Sequence, residues 1–84
     1  MKICGFRKLD FLNKESGEQI EGFNLYQKVN ISEGSGFYTE KYFINADIAS
    51  AYDITSDVLL DVLENGKDIL LDKVKNRVIG VFII

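Results

Sequence analysis

The sequence predicts a small, mainly β domain in the order β-β-β-α-β-β, with one helical crossover at about residues 46–65 and five strands wrapped into a Greek-key barrel. Three observations carry that prediction. The stretch Phe23 to Phe43 alternates aromatics with cations and polar groups, and Ile20 to Ile31 splits apolar from polar residues with the period of two that an extended chain imposes. A single window, Val58, Leu59, Val62 and Leu63, shows the spacing of an apolar helical stripe. The remaining segments are bounded by Gly, Asn and Ser turn clusters, and the chain contains no proline.

The elements follow in order. Lys2 to Leu12 reads as a first strand, and Asn13-Lys14-Glu15-Ser16-Gly17-Glu18 as a turn in which Gly17 supplies a left-handed backbone. Ile20 to Ile31 reads as a second strand, hairpin-paired to the first. On it Phe23, Leu25, Val29 and Ile31 share one face, interrupted by Gln27, and Asn24, Tyr26, Lys28 and Asn30 share the other. Glu33-Gly34-Ser35-Gly36 is a flexible connection. Phe37 to Asn45 is a third strand so rich in aromatics that its faces stay open: Tyr38, Tyr42 and Ile44 oppose Phe37, Lys41 and Phe43. Asn45 or Asp47 caps a short turn through Ala51, and Thr55 or Ser56 caps the main helix. Gly66 stands where a left-handed C-terminal cap belongs. Lys67 to Val74 and Arg77 to Ile84 form a last hairpin about Lys75-Asn76. The final strand is apolar on both faces, which fits either a strand wrapped inside a barrel or one that meets a second chain.

Composition narrows the chemistry. At 84 residues the chain is one domain, 1–84, with a net charge of −3. A domain of this size is only marginally stable by itself. The acidity is concentrated: Ala46 to Asn65 holds five acids and no base, whereas Met1 to Asn45 holds six of each and Gly66 to Ile84 four bases against two acids. A neutral or basic face is therefore compatible with the acidic total. The single cysteine, Cys4, excludes an internal disulfide and fits a reducing cytoplasm. Histidine is missing, and with it the commonest general base and metal ligand. No apolar run is long enough for a membrane span, and the first residues lack a signal-peptide core.

Motifs for catalysis do not assemble. Asp57, Asp61 and Glu64 follow one helix face but read as a solvated surface. Asp68 and Asp72 share a strand face without a third ligand. Gly34-Ser35-Gly36 matches no phosphate loop. Neither an enzyme nor a cofactor is expected. The remaining signal is aromatic and basic: Arg7 and Lys8 in the first strand, Tyr26 and Lys28 in the second, Phe37, Tyr38, Lys41 and Tyr42 in the third, and Lys73, Lys75 and Arg77 about the last hairpin. Aromatic rings beside cations on a sheet suit stacked bases and phosphates, as well as ordinary cross-strand packing.

Beyond this layout the chain resembles a group of small single-stranded-DNA-binding proteins of Gram-positive phages and plasmids, similar to the filamentous-phage type. Gly5, Phe11 followed by Asn13-Lys14-Glu15-Ser16-Gly17 and Ile20-Glu21-Gly22, then Lys41-Tyr42-Phe43-Ile44 and Gly66-Lys67 carry the resemblance. It implies an OB-like barrel, cooperative binding of single-stranded DNA in replication or transfer of a mobile element, and a homodimer. The apolar strand Val78 to Ile84 is the candidate interface. The chain departs from the pattern with Asp72-Lys73 and with Lys75-Asn76-Arg77 in the last turn, where the family has an aromatic, an asparagine and a glycine. The alternative expectation is a protein-interaction module whose acidic helix (Asp53, Asp57, Asp61, Glu64) imitates nucleic-acid phosphates toward a host protein.

Overall fold

A computed structural model describes residues 1–84. Strands β1 (Gly5–Leu12), β2 (Gln19–Asn30) and β3 (Phe37–Asn45) are followed by helices α1 (Ala46–Ala51) and α2 (Ser56–Asn65). Strands β4 (Ile69–Val74) and β5 (Arg77–Ile83) complete the chain. The fold is mainly β with two short helices, as the alternation and the single helical stripe predict. Its strands, however, form two sheets, β1-β2-β3 and β4-β5, and are not joined by backbone pairing into the one five-stranded barrel expected from the element order. The reason is local: β3 and β5 approach each other without a backbone ladder, and β4 meets the N-terminal segment at a single point. There the Met1 amino group donates to the Ile69 carbonyl and the Ile69 N–H donates to the Met1 carbonyl, each at 2.7 Å.

β2 is the central strand of the larger sheet. It pairs antiparallel with β1 from Leu12↔Gln19 to Gly5↔Tyr26, and with β3 from Gly22↔Asn45 to Asn30↔Phe37. Phe23, Leu25 and Ile44 on one face meet Ile3, Ala49, Ile54, Leu59, Val62, Ile69, Val78 and Val81 in one core. Leu25, Ile44, Leu59 and Ile69 are wholly buried. Gly22 allows the close approach of β2 to the end of β3: its φ is 153°, and a Cβ there would collide with the Ile44 carbonyl oxygen.

The crossover comprises the short capped turn, which is the helix α1, and the main helix α2. Asn45 Oδ1 accepts the Ile48 N–H at 2.8 Å, which starts α1, and the chain breaks out through Tyr52 and Asp53 (φ 55°). Thr55 Oγ1 accepts the Val58 N–H at 3.2 Å and starts α2, which Gly66 ends in the left-handed conformation at φ 60°. Lys75 and Asn76, both with positive φ, make the tight β4–β5 turn. Neither helix is long and apolar enough to cross a membrane.

The molecule is elongated, 41 × 29 × 24 Å, with a radius of gyration of 13.8 Å. A compact chain of this length has a radius near 12 Å. The excess comes from the far half of the β2–β3 hairpin, where no residue between Tyr26 and Phe43 is fully buried.

Candidate nucleic-acid interface

Directly opposed residues in a sheet share a face, so the register sorts every side chain of β1, β2 and β3. The outer face is built from cross-strand rows: Arg7–Asn24–Phe43, Gly5–Tyr26–Lys41, Lys28–Thr39 and Asn30–Phe37. Successive rows lie about 7 Å apart along the strands. Leu9, Phe11, Ile20, Gly22 and Asn45 complete the face by the same register.

Two properties distinguish this face. The first is charge: it carries Arg7, Lys28 and Lys41 and no acid at all, although the chain has 13 acids and a net charge of −3. The acids of these strands, Asp10, Glu21 and Glu40, all lie on the opposite face. The second is the interleaving of rings with cations. The Lys28 ammonium stands 3.9 Å from the centre of the Phe37 ring, within range of a cation–π contact. Tyr26 faces Gly5, which puts no side chain beside the ring, and Lys41 lies across from it. Phe37 is 54% exposed and Phe43 41%, and Arg7, Lys28 and Lys41 are exposed as well.

Of the residues singled out from sequence, Arg7, Tyr26, Lys28, Phe37 and Lys41 come together here. Four do not. Lys8 lies opposite Phe23 on the core side, in a cleft shared with Asp10, Glu21 and Thr55. Tyr38 and Tyr42 lie opposite Val29 and Leu25, also on the core side. The Tyr42 hydroxyl donates to Glu40 at 2.7 Å, and that hydrogen bond, with partial burial and the charge of Glu40, raises the phenol above its ordinary pKa. Lys73 stands over the Tyr42 ring at 4.7 Å, so it belongs to this inner cluster. Arg77 is at the seam between the two sheets, where Phe43, Asn45, Asn76 and Val78 line the same cleft and extend the outer face by one cation.

Phe43, Asn45 and Asn76 were not among the candidate contacts. Asn24↔Phe43 pairing reveals Phe43, a relation that strand alternation alone does not contain because β3 has aromatics on both faces.

The acidic ridge of α2 is interrupted by a base. Lys67 bonds Asp61, whose carboxyl is held below its ordinary pKa mainly by that ammonium. No group of three or more Cys, Asp or Glu side chains gathers in a metal-binding arrangement. Comparison with protein-family models, curated proteins and solved structures gives no match.

Proposed function

We propose that this protein binds single-stranded nucleic acid, DNA in the first instance, on the outer face of β1, β2 and β3, without catalysis. One observation carries the reading: three strands of an acidic protein present a face with cations and aromatic rings but no acid. A phosphate chain approaching from that side meets Arg7, Lys28, Lys41 and, at the seam, Arg77. Bases stack on Tyr26, Phe37 and Phe43, which takes any base because every base has a π-face. The resemblance to single-strand binders of phages and plasmids, in replication or transfer, points the same way. Within this reading the two sheets are the halves of a partly open OB-like barrel. The Met1–Ile69 bonds and the approach of β3 to β5 support that arrangement.

The test is fluorescence anisotropy with labelled oligo-dT and a matched duplex at two salt concentrations. The reading expects binding to the single strand that exceeds binding to duplex and weakens with salt. Tyr26→Ala with Phe37→Ala weakens it by about 1–3 kcal/mol per lost stack, whereas Tyr38→Ala with Tyr42→Ala changes it little. Equal loss from both pairs would place the contact elsewhere.

In the same proposal the protein acts as a homodimer through the end of the chain. Ile79, Phe82 and Ile83 on β5 remain about two-fifths exposed and Ile84 is 77% exposed, an apolar set that a second copy of the strand covers.

A further inference from the structure

The outer face of β1, β2 and β3 is ordered along its strands and not across them. From the hairpin tip inward its rows read Asn30–Phe37, Lys28–Thr39, Gly5–Tyr26–Lys41 and Arg7–Asn24–Phe43. Each of these rows carries a ring or a cation, and none carries two rings or two cations. The rows beyond them, Leu9–Gly22–Asn45 and Phe11–Ile20, hold no charge. A polyanion laid across the sheet, at right angles to the strands, therefore meets at most one ring and one cation. Laid along β2 and β3, it meets Phe37, Lys28, Tyr26, Lys41, Phe43 and Arg7 in succession. Arg77 lines a cleft with Phe43 and continues the series past that end.

The row spacing sets a length. Same-face residues of a strand are about 7 Å apart, and their side chains stand roughly perpendicular to the sheet. Stacked bases lie about 3.4 Å apart, so one upright ring with one base stacked on it fills one row. Phe37 shows the arrangement: the Lys28 ammonium covers one side of its ring at 3.9 Å, and the ring is still 54% exposed. One side is left for a base.

We propose that the single strand runs along β2 and β3 with one nucleotide to each row, so that about four nucleotides cover the distance from Phe37 to Phe43. The bases on Phe37, Tyr26 and Phe43 stack on the protein and not on one another. The nucleotide at the Lys28 row meets a cation and no ring. The inference rests on the single-strand reading above and adds to it a direction and a length.

The experiment is a competition at low salt. Unlabelled oligo-dT of two, three, four, six and eight nucleotides displaces a long labelled oligo-dT from the wild-type protein and from Phe37→Ala. Four nucleotides reach all three rings, whereas three reach only two, at either end of the series. The wild type is therefore expected to gain about fivefold or more between three and four nucleotides, the worth of one stacking contact, and little with further length. In Phe37→Ala that step disappears. A strand of three nucleotides still occupies the rows from Lys28 to Phe43 and keeps its affinity within about twofold, the loss of one of two equivalent placements. Phe37 is exposed at the first position of β3, so the core is untouched; thermal melts check this. Affinity that levels off at two or three nucleotides is the result of a strand crossing the sheet, and it overturns the path while leaving single-strand binding intact. An equal loss from Phe37→Ala at every length does the same, as do short strands that never compete although the long one binds. No binding of the long oligo-dT overturns the single-strand reading, and the path with it.

Discussion

At Tyr42 a neighbouring carboxylate sets the behaviour of the ring. Glu40 accepts the phenol hydrogen bond and repels a phenolate, so the folded protein holds that proton more tightly than an unfolded chain does. The contribution to stability is complete below the ordinary tyrosine value of about 10. It is lost as the pH rises through the elevated folded value. Ultraviolet titration is expected to show one tyrosine ionising late, and Glu40→Gln to bring it back toward the others. Asp61 runs the opposite way: its carboxyl is depressed by Lys67, so its contribution is present above the ordinary carboxylate range and disappears as the pH falls through the lowered value. With both side chains close to half exposed, that contribution is small. Gly22 makes the sharpest prediction at this scale. Gly22→Ala drives a Cβ into the Ile44 carbonyl and is expected to cost on the order of 3 kcal/mol or more in urea unfolding. Gly17→Ala, also at positive φ but in open space, costs about 1–2 kcal/mol.

At the scale of elements, what was legible in the sequence was whatever is fixed within one segment. The faces of β2 follow from alternation, and α2 follows from its stripe, with Thr55 at one end and Gly66 at the other. The Asn45 cap and the Lys75-Asn76 turn were equally local. Strand ends moved by one to three residues because fraying depends on pairing partners: Lys2 to Cys4 lie outside β1, and Lys67 and Asp68 outside β4. The faces of β3 were not legible, since aromatics occupy both of its parities; only its register against β2 decides that Phe37, Lys41 and Phe43 stand together and Tyr38 and Tyr42 apart. Whether the sheets close was also beyond reach, because it depends on how nearly β3 and β5 approach in space. The helix supplies the element-scale prediction. Leu59 is wholly buried in the core, so Leu59→Ala is expected to cost about 2–5 kcal/mol. Leu60, on the next position and 46% exposed, tolerates the same change with a much smaller shift of the denaturation midpoint.

For the whole molecule, net charge is a poor guide to the partner. A chain of −3 presents a sheet face on which every charge is positive, and a ligand responds to the face it meets. Lys41→Gln is accordingly expected to weaken single-strand binding and to reduce the slope of log affinity against log salt by about 0.7, the share of one phosphate contact. The exposed apolar end of β5 predicts association of two copies, which sedimentation equilibrium will read directly. Phe82→Ser with Ile84→Ser is expected to shift the population to monomer, and a wild type that stays monomeric at high concentration would remove the dimer. The register of β2 ties these properties together. A strand has only two sides, so slipping β2 by one residue against its neighbours would turn Phe23 and Leu25 out to water. It would also bring Glu21 to the side that now has no acid. Core and ligand face are set by the same choice of frame, and a misaligned chain forfeits both at once: it cannot persist as a folded but mischarged competitor for the strand.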